Sequence, residues 1–129
     1  MNEKTLWHTE KWFTSPWNFE EEITGVFNFP EKIKIHDITL RDGEQQAGII
    51  FNKNEKVEIA KRLDAVGVHR IEAGMPAVSS QDEAAIKEIN NLGLNAEVFA
   101  FSRCMKKDIK AAHDCGVKGV IVEIPSSEH

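Results

Sequence analysis

A chain of 129 residues is the size of one ordinary domain and can bury a respectable core. Apolar residues make up 41% and charged residues 29%, the balance of a soluble globular protein, and a net charge of −5 with scattered lysines and arginines offers no basic face for nucleic acid. There is no apolar run of the length that spans a membrane, no signal-like start in "MNEKTLWHTEKWF", and neither redox nor zinc spacing at Cys104 and Cys115. A cytoplasmic protein with reduced thiols is the expectation.

Residues 1–30 contain the three tryptophans, Trp7, Trp12 and Trp17, together with Phe13, Phe19, Phe27 and Phe29. They show no sustained periodicity, and Pro16 and Pro30 punctuate them. This stretch reads as an N-terminal arm (1–32) whose aromatics anchor a core or an interface. Regularity begins at residue 33, where "IKIHDI" reads as a strand. After a polar loop, "FNKNEKVEIAKRLDAVG" reads as a helix: Ile59, Ala60, Leu63 and Val66 form a stripe, Asn52 and Glu55 a capping box, and Gly67 the stop. "VHRIEAG" is a second strand. "SSQDEAAIKEINNLG" is a second helix, capped by Ser80 and Glu83, with Ala85, Ile86 and Ile89 inward. "NAEVFAF" is a third strand, "KKDIKAAHDCG" a third helix with Ile109 and Ala112 inward, and "VKGVIVEI" a fourth strand.

Alternation of strand and helix implies a parallel sheet, each helix carrying the chain back to start the next strand. No glycine-rich phosphate fingerprint follows the first strand, which argues against dinucleotide or P-loop folds. In such sheets functional groups gather beyond the carboxyl ends of the strands. Arg41 and Asp42 follow strand one, Glu72 lies near the end of strand two, Ser102 and Arg103 follow strand three, and Glu123 lies near the end of strand four. Their convergence on one pocket would suit carbonyl chemistry. A carboxylate such as Asp42 can bind a hard divalent cation, and Arg41 can hold developing negative charge. Glu72 could orient Arg41 or move a proton, and Gln45 could bond a substrate oxygen. An Arg–Asp pair in a glycine-bounded loop is more often a solvated turn, whereas a carboxylate inside an apolar run needs a partner. His36, His69 and His113 read as satisfied or surface histidines, and Cys104 as a packing thiol.

The words "DITLRDGEQQAG" (37–48) and "RIEAGMPAVS" (70–79) resemble the metal-dependent TIM-barrel family of 2-isopropylmalate, homocitrate and citramalate synthases. Hydroxymethylglutaryl-CoA lyase, hydroxy-oxovalerate aldolases and pyruvate carboxyltransferase domains belong to the same family. The likeness runs over residues 33–129, and the "EQ" of "TLRDGEQ" resembles the synthases more than the lyases. It implies a (β/α)8 barrel of which about the first four βα units are present, a partial barrel. By position it makes Arg41 the arginine that stabilises an enolate, Glu72 its acidic catalytic partner, and Asp42 a ligand of a divalent metal cation (Mg, Mn or Zn). Gln45, Ser102, Arg103 and Glu123 fall where the family recognises substrate. The implied activity is condensation of acetyl-CoA, or another acyl-CoA, with a 2-oxo acid, then thioester hydrolysis. A carbon–carbon lyase on the same scaffold and a non-catalytic half-barrel docking through its arm are the alternatives. The sequence departs from the family in "QQAG" where "QSPG" is common, and it contains no His-x-His pair, which the family uses to complete its metal site. Four strands have two open edges, so a homo-oligomer or a complementary barrel half is the expected partner.

Overall fold

The computed structural model describes residues 8–127 and divides into two compact units, 1–33 and 34–129. In the first unit an isolated antiparallel bridge joins His8 to Phe13. A 3-10 turn follows at Pro16–Phe19, with proline at a position whose missing N–H costs nothing, and then a single helical turn, α1 (Glu21–Thr24). Trp12, Phe13, Trp17, Phe19, Phe27 and Phe29 are all exposed, so within this unit they do not form the core that their density suggested. Trp7 lies outside the described residues.

The second unit runs β1 (His36–Asp37), α2 (Lys53–Ala65), β2 (Arg70–Glu72), α3 (Ser80–Asn90), β3 (Glu97–Arg103), α4 (Lys106–Asp114) and β4 (Gly119–Glu123). The strands form one parallel sheet in the order β1-β2-β3-β4. Sequential order without reversal is the winding of a barrel wall rather than of an open doubly wound sheet, where the order turns back at a switch point. No helix of the described residues is long and apolar enough to cross a membrane.

Local chemistry sets the helix ends. Asn52 accepts from Glu55 N–H at 3.0 Å while the Glu55 carboxylate accepts from Asn52 N–H at 2.7 Å, the reciprocal box expected of α2. At α3 the cap is Ser79, not Ser80; its hydroxyl accepts from Asp82 N–H at 3.1 Å. The register moves one residue because Ser79 has the extended backbone that a cap requires (φ −157°, ψ 162°). Gly67, Gly93 and Gly116 have φ of 86°, 70° and 76°, the left-handed stop that lets each helix hand over to a strand.

Packing follows strand parity. Along β3 Val98, Ala100 and Ser102 are buried while Phe99 and Phe101 are half-buried on the other face. Val98 joins Ile71, Leu40, Val57, Ala60, Ile86 and Ile89 in one core between sheet and helices. Burying side chains such as Ile71, Ile86 and Ile89 completely contributes about 1.5–3 kcal/mol each. Val66 and Ile109 are exposed rather than inward, and on α4 it is Asp108 and Ala112 that are buried. The first strand is shorter than its apolar run. Ile35 N–H is taken by the His69 side chain at 3.1 Å, and just past β1 Asp37 accepts from Thr39 N–H at 2.9 Å, turning the chain away from the sheet.

Candidate active site at the ends of the first two strands

The turn after β1 is tight. The Ile38 carbonyl accepts from the N–H groups of Arg41, Asp42 and Gly43 at 3.1, 2.9 and 3.2 Å, and Gly43–Gln45 continues as a 3-10 turn. This winding returns Arg41 over the end of β2. Its Nε donates to Glu72 Oε1 at 2.5 Å, and its Nη1 donates to Asp42 Oδ1 at 2.9 Å and to Gln45 Oε1 at 3.3 Å. The guanidinium lies 4.6 Å from the centre of the Phe101 ring, a cation–π contact. Nη2 has no protein hydrogen bond among those described, so one edge of the fork is open.

Glu72 is 2% exposed and uses both oxygens, the second facing His36 Nε2 at 3.1 Å. The buried carboxylate thus has the partners its burial requires, and His36 is satisfied by it. The Phe99 ring packs edge-on against His36, with centroids 5.5 Å apart. His69 is likewise engaged, His113 lies on a helix surface, and the Cys104 and Cys115 thiols are free, the former exposed and the latter buried. Arg41, Asp42, Gln45 and Glu72 therefore meet at the carboxyl ends of β1 and β2.

The other three residues do not join them. Ser102 is completely buried on the helix-facing side of β3, and its hydroxyl donates to the Arg103 carbonyl at 2.8 Å. Period-two alternation puts it on the opposite face from Phe101, so the expected substrate contact is not available to it. Arg103 is drawn to the base of α4, where Nε donates to Asp108 at 2.6 Å. Glu123 is exposed at the end of β4, opposite Arg103 in register, with no hydrogen bond to the Arg41 cluster. The single four-strand pocket foreseen from the spacing is thus a two-strand cluster among the described residues.

Beside this cluster a pocket of about 320 Å³ opens between the turn after β1 and the loop after β2, lined by Arg41, Gln45, Ile50, Met75 and Val78 among others. Two of its lining residues, Glu44 and Asp82, belong to a network that no local pattern of the sequence announces. Lys56, 2% exposed, donates to Glu44 Oε2 at 2.6 Å and to Asp82. Burial alone would lower the Lys56 pKa, but hydrogen bonds to Asp82 and Glu44 outweigh it and hold the value above 10.5. The available signal was position: Lys56 lies one helical turn before Ala60 on the inward stripe, and a cation there demands partners.

Asp42 offers the chemistry of a hard-cation ligand, since its side chain is 57% exposed and one of its oxygens is not engaged by Arg41. It is alone in this. Among the described residues no group of three His, Cys, Asp or Glu stands where it could hold a metal ion. Mg takes six oxygen ligands, several of them waters, and Zn takes four nitrogen, oxygen or sulfur ligands. The donors present do not by themselves fit a complete metal site.

The geometry can now be set beside known proteins. The family model described as HMGL-like matches residues 32–129. The chain belongs to the HMGL-like family. Homocitrate synthase AksA of Methanothermobacter thermautotrophicus is 48% identical over 118 residues, covering 92% of this chain and 29% of that protein. Homocitrate synthase 1 of Nostoc sp. is 49% identical over 96 residues, 74% of this chain and 26% of the relative. The 2-isopropylmalate synthase of Methanocaldococcus jannaschii is 46% identical over 100 residues, 78% of this chain and 19% of the relative. The chain thus spans under a third of the length of these curated relatives. Its four parallel strands and the three helices between them are consistent with part of the wall of an HMGL-like barrel.

Proposed function

We propose that this HMGL-like chain carries part of the active site of an acyltransferase that condenses acetyl-CoA with a 2-oxo acid. In that reaction a proton leaves the methyl carbon of the thioester, the enolate carbon bonds to the ketone carbon, and water then cleaves the thioester to release free CoA. The observation that carries the reading is the arginine fork. Glu72, Asp42, Gln45 and the Phe101 face hold Arg41 and leave Nη2 without a protein hydrogen bond among the described residues. A guanidinium held in this way meets developing oxyanion charge without reorganising. Glu72, with both oxygens engaged, orients Arg41 rather than taking the methyl proton. The names of the relatives, homocitrate and 2-isopropylmalate synthases, support condensation over the lyase direction.

A divalent cation belongs to the same reading: Mg, Mn or Zn would polarise the 2-oxo acid, with Asp42 as this chain's contribution and the remaining donors from outside the described residues. The inner face of the sheet, where Phe99 and Phe101 are half-buried, would be covered by further barrel units, by a second copy of the chain or by a complementary chain in a cytoplasmic enzyme. The test is a free-thiol assay on the full-length protein with acetyl-CoA and a panel of 2-oxo acids. CoA release that depends on one of the acids and falls at least a hundredfold in Arg41→Ala is expected. Release with none of them overturns the assignment.

A further inference from the structure

The Glu44–Lys56–Asp82 network is not explained by packing alone. Its three members come from the turn after β1, the first turn of α2 and the first turn of α3. Glu44 closes a second bond here, its other oxygen accepting from Phe51 N–H at 3.0 Å. One carboxylate therefore ties both ends of the segment 44–51 to a buried cation, with Gly48 at φ 85° allowing the reversal between them. Asp82 is held in turn by the Ser79 hydroxyl at 2.5 Å, so the far side of the network is anchored in the α3 cap. Adjacent to Glu44 in the same 3-10 turn is Gln45, whose amide oxygen accepts from Arg41 Nη1.

We propose that Lys56 is a positioning residue for the condensation, acting through Glu44 to hold Gln45 against the Arg41 guanidinium. This rests on the acyltransferase reading above. Apolar residues of the right shape would fill a purely structural site at least as well, since a buried ion pair must offset the desolvation of its charges. What the ionic network adds is a fixed register between a catalytic turn and two helices. A misplacement of about 1 Å at a site residue can lower a rate by about a hundredfold, so a tether of this kind has leverage on the chemistry.

The experiment uses the full-length protein and the variants Lys56→Met, Lys56→Arg, Glu44→Gln, Gln45→Ala and the double variant Lys56→Met/Gln45→Ala. Steady-state CoA release is read together with amide hydrogen exchange. Lys56→Met should lower kcat about tenfold or more with a smaller change in KM, and Lys56→Arg should recover most of the loss. In the Gln45→Ala background the same Lys56 change should cost under about twofold, because the group it positions is gone. Exchange should quicken about tenfold at Gln45 and Phe51 while Val98 and Ala100 are unchanged. Glu44→Gln, which leaves the Lys56–Asp82 pair in place, should give the same loop-confined signature if the methionine variant does not fold. Equal losses in both backgrounds, or faster exchange spread evenly over α2, α3 and β3, would overturn the proposal. If the wild-type protein releases no CoA with any 2-oxo acid, the acyltransferase reading fails separately, and exchange at Gln45 and Phe51 still decides whether Lys56 holds the turn.

Discussion

Removing the Glu72 carboxylate probes the site most directly, because replacement by glutamine and by alanine should separate charge from geometry. In Glu72→Gln the amide oxygen can still accept from Arg41 Nε, now at 2.5 Å from a carboxylate oxygen, and the amide NH2 can donate to neutral His36 Nε2. The loss is that of an ion pair becoming a bond from a charged guanidinium to a neutral amide oxygen, about 1 kcal/mol. In Glu72→Ala both partners lose their acceptor at a position 2% exposed. Removing one member of a buried pair costs about 3–5 kcal/mol, and the low end applies here because Arg41 keeps Asp42 and Gln45. The alanine variant should therefore be less stable than the glutamine variant by about 2 kcal/mol. Urea unfolding measures this as a shift in midpoint at constant slope. Activity should follow, with alanine reducing CoA release at least tenfold more than glutamine. Two variants equal within a few tenths of a kcal/mol would refute the claim that Glu72 is paired to a buried guanidinium.

Three further outcomes follow from other parts of the second unit. Gly119→Ala drives a Cβ into the Phe99 ring, so the ring must shift, at a cost of about 1–3 kcal/mol in thermal unfolding that Phe99→Leu in the same chain should largely restore. Asn52→Ala removes the α2 cap and should cost about 1 kcal/mol, whereas Asn54→Ala, two residues further on in the first turn of the same helix, should change stability little. The hydrogen bond from Arg70 holds the Glu97 carboxyl below its ordinary value of 4.5. A lowered acid pKa stabilises the fold above the unfolded value and loses that contribution as pH falls through the folded one. Glu97→Gln should accordingly flatten the stability curve below about pH 4.5 and leave its shape at neutral pH unchanged, which a series of melting curves across pH would show.

The sequence by itself determined what depends on neighbours along the chain. The order of strands and helices follows from apolar periodicity. The α2 cap follows from Asn52 and Glu55 three residues apart, and the helix stops follow from glycines that alone adopt positive φ without strain. The pairing of Arg41 with Glu72 was half legible, because a carboxylate inside an apolar strand must find a cation, although nothing local says which one. Tertiary structure decided the rest. It turned Ser102 away from the site, since strand parity is set by which face meets the helices, and it drew Arg103 to Asp108 instead of to the pocket. It ended β1 after Asp37 because the Asp37 carboxylate took the Thr39 N–H and the Ile38 carbonyl turned back to the N–H groups of Arg41, Asp42 and Gly43. It also brought Glu44, Lys56 and Asp82 together from three separate elements. Ion pairing in a parallel sheet joins residues tens of positions apart, and their distance in space is fixed by the winding of the strands rather than by any local pattern.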